Sequence, residues 1–260
     1  MKRIILQKAV PRNNKKIGES CSMAKKIVFV SGKGGVGKST LCTATAKALS
    51  ENGKNVLIEE ADSGFGCIDI MLGLENEVVY NLQDIIDKKI DFEKAVVKSE
   101  NYPLLNYIPA PYNIDFSPTD EQIKNFHKSI DDKFDFILID MGFGINDRMT
   151  AFFKNADLFL MILTPDLISV RDSEKMANFI RELNTNEIRT VINKVHTVGK
   201  NAMEDFDKII DKTGLRLIGI IPYSKSFSKG AFPGKHSLWH KCVNNLCLRL
   251  NNLNINLAIM

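Results

Sequence analysis

The stretch VSGKGGVGKST, residues 30–40, decides how the chain is read. It follows the apolar run Ile27, Val28, Phe29, Val30 and packs four glycines and two lysines into eleven residues. Gly32, Gly37, Lys38 and Ser39 satisfy GxxxxGK[ST], with a strand expected before and a helix after. In that setting glycines turn successive backbone N–H groups toward a phosphate at a helix N-terminus, Lys38 offers a point charge, and the Ser39 hydroxyl can ligate Mg²⁺. The same residues also spell GxGxxG through Gly32, Gly34 and Gly37, a pattern of dinucleotide binders. A dinucleotide has no use for the adjacent Lys38 and Ser39, whereas a nucleoside triphosphate with Mg²⁺ needs both. The loop therefore reads as a triphosphate site, and it leaves Lys33 as a second lysine without an assigned task.

Working outward, strand-like apolar runs are expected at 27–30, 56–58, 105–108, 136–139, 158–163, 190–192 and 217–220. Helical patterns occupy 38–50, 121–130, 169–183, 203–212 and 237–250. Strands alternating with helices predict an α/β class: one domain, with a mainly parallel sheet flanked by helices on both faces. The expected organisation is a basic extension at 1–22, a nucleotide-binding domain at 23–252 and a tail at 253–260.

Composition agrees with one core and narrows little else. A chain of 260 residues with 44% hydrophobic content can bury one substantial core. The formal charge of +4 is too small to argue nucleic-acid binding alone. Five cysteines with no CxxC spacing indicate neither a disulfide framework nor a zinc site, and point to a reducing, cytoplasmic setting. The longest strongly apolar run, Leu158–Leu163, is far shorter than a bilayer span. Lys2, Arg3, Lys8, Arg12, Lys15 and Lys16 precede the first acid, Glu19, so residues 1–22 read as a solvated tail, with a membrane or nucleic-acid arm as the alternative.

In open α/β sheets ligands gather at the carboxyl ends of strands. There the sequence places Asp140, closing FDFILID, where a phosphate loop needs a metal-site carboxylate; a helix cap is the other reading. Asp62, in VLIEEADSGFG, is placed either to orient an attacking water or to cap the next helix. Asn193 ends another strand, where its amide either pairs with a base edge or stabilises the loop.

With these residues in place the chain resembles the MinD/ParA family of ATPases, whose deviant phosphate loop KGGxGK[ST] matches Lys33, Gly34, Gly35, Val36, Gly37, Lys38, Ser39 and Thr40. Residues 69–86 (DIMLGLENEVVYNLQDII), 164–176 (TPDLISVRDSEKM), VINKV at 191–195 and GIIPYS at 219–224 are similar to the MinD branch. The resemblance implies binding of ATP and Mg²⁺ by Lys33 to Thr40, with Ser39 and Asp140 at the metal, Asp62 positioning water and Asn193 contacting adenine. It implies that Lys33 reaches the partner's phosphates in an ATP-dependent homodimer, and that an activating partner protein stimulates weak hydrolysis. The surface organised is then the inner membrane, in division-site positioning. The alternatives are a ParA-like partition ATPase that binds DNA nonspecifically and a poorly active nucleotide sensor.

Three stretches depart from the family pattern. Glu60 stands where an aspartate is usual two residues before Asp62, and Met141, Gly142, Phe143, Gly144 replace Ser-Pro-Ala-Gly after Asp140. Loss of that proline predicts a looser loop. The C-terminal region lacks a basic amphipathic helix; Leu238, Trp239, Cys242, Val243, Leu246 and Leu250 form an apolar stripe expected to pack on the core, and residues 253–260 remain as a lipid or partner segment.

Overall fold

The structure is a computed structural model that describes residues 23–196, 200–229 and 231–253. The basic extension at 1–22 and the tail beyond Leu253 lie outside them. In chain order the elements are β1 (Lys25–Val30), α1 (Lys38–Glu51), β2 (Val56–Glu60), α2 (Ile68–Leu72), α3 (Leu82–Ile86), α4 (Phe92–Ala95), β3 (Val97–Lys98), β4 (Leu105–Ile108), α5 (Asp120–Ile130), β5 (Phe136–Asp140), α6 (Thr150–Lys154), β6 (Leu158–Leu163), α7 (Leu167–Leu183), β7 (Ile188–Val195), α8 (Lys200–Thr213), β8 (Arg216–Pro222) and α9 (Leu238–Leu250).

Among the described residues the strands form one sheet in the order β3-β4-β2-β5-β1-β6-β7-β8. All pairings are parallel except the two-residue edge strand β3 against β4. β1 sits centrally, and its alternate residues serve two cores: Ile27 and Phe29 face the side covered by α1 and α9, while Val28 and Val30 face the side covered by α5, α6 and α7. Burial on both faces is why the central strands read as unbroken apolar runs rather than alternating ones.

The sheet, the seven expected strands and the five expected helices agree with the sequence reading. The short helices α2, α3, α4 and α6 and the edge strand β3 are additions. α9 packs on β8 and α1 with Trp239, Cys242, Val243, Leu246, Cys247 and Leu250 buried. Leu238, assigned to the stripe from sequence, is 44% exposed, and Cys247 takes a place in the core. Among the described residues no helix is long and apolar enough to cross a membrane.

Candidate functional site

β1 delivers the phosphate loop into the crevice at the carboxyl ends of the strands, and α1 leaves it. Gly37 has φ 93° and Gly35 φ 74°, left-handed values that favour glycine. Gly32 is required for space: a Cβ there would lie 2.3 Å from the Asp172 carbonyl of α7. Two donors from the end of β7 hold the loop's shape. The Asn193 amide nitrogen donates to the Val36 carbonyl at 2.8 Å, and Lys194 Nζ to the Gly35 carbonyl at 2.6 Å. α1 begins with no side-chain cap and no acid in its first turn. Its free N–H groups and positive dipole end therefore face the loop, an arrangement suited to an anion.

Lys38 and Asp140 meet behind the loop. Their Nζ–Oδ1 distance is 2.8 Å, with Asp140 fully buried and Lys38 nearly so. Burial disfavours the ammonium, but the charge and hydrogen bond of Asp140 outweigh it, so Lys38 is held above its ordinary value. Lys38 Nζ also lies 3.3 Å from Ser39 Oγ. Asp140 Oδ2 is buried and has no hydrogen-bond partner. Asp140 and the Ser39 hydroxyl, which share Lys38 Nζ as a neighbour, offer the hard oxygen ligands that suit Mg²⁺. Ser39 and Asp140 thus fit the metal role expected of them.

Asp62 lines the same cavity as Lys38, Ser39 and Thr40, a space of about 370 Å³ that extends toward Lys194, Tyr223 and Trp239. That volume falls in the range of roughly 300–1,000 Å³ usual for small-molecule sites. Burial raises the Asp62 carboxyl above its ordinary value, Lys38 pulls it back, and Asp140 raises it further. Glu60, just before it, is pushed up to about 7, first by burial and also by Asp140, against hydrogen bonds from Tyr107 and the Cys67 and Ile68 N–H groups. The loop after β5 is tied in place: the Phe143 ring lies 3.5 Å from where a Cβ on Gly34 would sit, and the Gly144 N–H donates to the Ser31 carbonyl at 3.2 Å.

Lys33 turns elsewhere. It does not line the cavity; its ammonium lies 3.2 and 3.4 Å from the two carboxylate oxygens of Asp166. Asp166 is the N-cap of α7, accepting from the Ser169 N–H at 3.0 Å and from Thr164 Oγ1 at 2.6 Å. Burial works to raise the Asp166 carboxyl, but these donors and Lys33 prevail and hold it below its ordinary value.

A family description now joins the geometry: the CobQ/CobB/MinD/ParA nucleotide binding domain matches residues 27–237. The chain belongs to this MinD/ParA family. Within it, the septum site-determining protein MinD of Bacillus subtilis is 32% identical over 204 residues, 76% of this chain and 76% of its own. The MinD of Thermotoga maritima is 33% identical over 210 residues, 78% of this chain and 77% of its own. The solved MinC:MinD cell division complex of Aquifex aeolicus superposes with a TM-score of 0.78 at 27% identity, covering 90% of this chain and 98% of that one. A MinD of Pyrococcus horikoshii complexed with Mg-ADP has a TM-score of 0.75 at 22% identity, over 88% of this chain and 96% of its own, which speaks for the fold. The chain is thus a MinD-like member of a nucleotide-binding ATPase family.

The fold brings Gly34 to Thr40, Asp62, Asp140 and Asn193 to one crevice and leaves Lys33 at its rim. Asn193 lines the cavity, but its amide nitrogen is committed to the loop, the stabilising alternative weighed from sequence. Two residues of the site carry no assigned role in the sequence reading. Asp166 carried a signal, an aspartate before an apolar helical pattern, which marks an N-cap. Lys194 carried none in spacing; its reach to Gly35 depends on a left-handed φ of 58° that turns it toward the loop.

Proposed function

We propose that residues 23–252 form an ATPase switch that dimerises on binding ATP and Mg²⁺ and cycles on and off a surface or partner. The observation that carries this reading is the division of labour between the two lysines of one loop. Lys38 lines its own cavity with its ammonium on the buried Asp140 behind the loop, and Lys33 is paired with Asp166 outside it. A loop cation held outside its own cavity supports what the resemblance to the family implies, that Lys33 serves the cavity of a second copy.

In this reading loop N–H groups and Lys38 bind the β- and γ-phosphates, and Asn193 and Lys194 keep the loop in its binding shape. Ser39 and Asp140 would hold Mg²⁺, which when bound neutralises charge on the phosphate oxygens. To reach those oxygens, Lys38 gives up part of its contact with Asp140. Asp62 accepts a hydrogen bond from the attacking water and orients it, a positioning task rather than full proton removal. Lys33 of the second subunit stabilises charge on the γ-phosphoryl group after leaving Asp166. Nothing in this arrangement demands fast turnover, so weak hydrolysis quickened by an activating partner protein fits it.

The kinship with MinD proteins supports cytoplasmic chains that visit the inner face of the cell membrane in division-site positioning, and a partner of the MinC kind. The formal charge of +4 and the basic stretch at 1–22 favour DNA as the second reading. The test uses the Asp62→Ala variant to hold the ATP state, with co-sedimentation on anionic liposomes and on DNA, each with ATP and with ADP. ATP-dependent lipid binding supports the first reading. ATP-dependent DNA binding with a steep salt dependence supports the second, because phosphate contacts release counterions.

A further inference from the structure

Glu60 closes β2 fully enclosed, and three donors converge on its carboxylate. The Cys67 N–H lies 2.7 Å and the Ile68 N–H 3.2 Å from Oε1, while the Tyr107 hydroxyl of β4 donates to Oε2. Helix α2 receives no side-chain cap from its own N-cap residue, Cys67. A carboxylate from the end of a strand supplies that function instead, satisfying the first N–H groups of the helix. The neighbouring Glu59, buried on the other side of the sheet against His127, has Oε1 without any partner. Complete satisfaction of Glu60 is therefore a specific arrangement rather than something every buried acid here achieves.

The clamp closes a loop. Residues 61–66 run between Glu60 and the amides it holds, and they carry Asp62. Their other backbone ties are the Ala61 N–H on the Asp140 carbonyl at 2.8 Å, the Gly64 N–H on the Pro111 carbonyl at 2.9 Å and, within the loop, the Phe65 N–H on the Asp62 carbonyl at 3.2 Å. Gly66 is where the loop presses closest: a Cβ there would lie 3.1 Å from Glu60 Oε2 and 3.2 Å from Ala110 Cβ. Beyond the clamp, Cys67 lines the cavity together with Ser39. Fixing Cys67 to Glu60 therefore fixes one wall of the cavity together with the loop that bears Asp62. Tyr107 is 1% exposed, so its hydroxyl needs a buried acceptor as much as the second Glu60 oxygen needs a donor.

We propose that Glu60 and Tyr107 form a buried latch that positions the 61–68 loop, and with it Asp62, for hydrolysis. Both are positioning residues, and the role rests on the ATPase reading above. Removing the Tyr107 hydroxyl leaves one Glu60 oxygen without its donor and loosens the clamp, while Lys38 and the loop N–H groups that bind phosphate stay as they are. Glu60→Gln keeps an oxygen for the two amides and presents an N–H₂ to the Tyr107 oxygen.

The experiment compares wild type, Tyr107→Phe, Glu60→Gln and Glu60→Ala. Single-turnover hydrolysis of Mg-ATP gives the rate, Trp239 fluorescence on ADP binding gives the affinity, and thermal melting gives the folded fraction. Trp239 is the one tryptophan of the chain and lines the cavity. Tyr107→Phe is expected to slow hydrolysis on the order of tenfold, the effect of misplacing a positioned group. Its ADP affinity should stay within about twofold, because the phosphate donors are untouched. Glu60→Ala should be at least as slow, and Glu60→Gln should recover most of the rate. A Tyr107→Phe variant that hydrolyses at the wild-type rate, or that loses rate and affinity by the same factor, overturns the latch. A wild type that hydrolyses no ATP breaks the ATPase reading instead, and amide exchange then decides the latch: faster exchange at Cys67 and Ile68 in Tyr107→Phe upholds it, and unchanged exchange overturns it.

Discussion

The two lysines of the phosphate loop stand five positions apart and live in opposite environments. Lys38 is buried against a fully buried Asp140 at 2.8 Å, whereas Lys33 and Asp166 are 39% and 41% exposed at 3.2 Å. Burial makes the first contact costly to break from one side, since removing either partner strands a charge in the core. Exposure makes the second cheap, because solvent screens it and two long side chains must be held still to keep it. The proposed switch, whose loop would grip its ligand throughout and reach a second subunit only with ATP, calls for that asymmetry.

Lys38→Ala gives the largest effect. It should weaken ATP binding by about 100-fold or more, since charge-assisted contacts to phosphate are lost. It should also destabilise the fold by about 3–5 kcal/mol, because Asp140 stays buried without its partner. Calorimetric titration and urea unfolding check both, and near-normal ATP affinity would remove Lys38 from the site. Lys33→Ala sharpens the contrast. Its stability should change by less than about 1 kcal/mol and its ATP affinity by less than about threefold, while dimerisation and hydrolysis are lost. Equal losses of affinity in the two variants would erase the distinction between the lysines.

A pH series probes the buried side. Folded Glu60 keeps its proton up to about pH 7, against an ordinary value of 4.5, so the folded state binds more protons in that window. Stability should therefore fall as pH rises from about 4.5 to about 7, on the order of a few kcal/mol. Glu60→Gln should flatten the slope in urea midpoints measured across that range, and an unchanged slope would show that other groups set it. The smallest effect belongs to the exposed side. Asp166→Ala should cost about 1 kcal/mol of stability through the lost cap of α7. By freeing Lys33 it should also favour the ATP dimer by up to roughly fivefold per lysine. Dimerisation weakened by this variant would mean that Asp166 assists Lys33 rather than restrains it.

The sequence exposed the parts of the site that are local. Residues 30–40 declare their conformation because glycines, a lysine and a hydroxyl must follow a strand in fixed order. Asp140 and Asp62 were found because acids after apolar strands reach the same crevice. Contacts that depend on the order of strands stayed hidden. Lys33 meets Asp166 because β6 lies next to β1, and Glu60 meets Tyr107 because β2 lies next to β4. Neither pairing follows from spacing along the chain. Helices α2, α3 and α6, of five residues each, are too short to show a 3.6-residue period, and the two residues of β3 cannot alternate. The expected adenine contact of Asn193 illustrates a third limit. Its position at a strand end is legible, but the bond its amide nitrogen gives to the Val36 carbonyl depends on how near the loop passes, and that bond uses the nitrogen and not the oxygen.

The central claim is that Lys33 leaves Asp166 to complete the site of a second copy when ATP binds. Sedimentation velocity of the Asp62→Ala chain with Mg-ATP and with Mg-ADP, repeated with Lys33→Ala added, tests it most directly. The account predicts a 29.2 kDa species with ADP, a species of twice that mass with ATP, and return to the smaller species when Lys33 is removed. A mass that ignores the nucleotide, or an ATP dimer that survives Lys33→Ala, would contradict it.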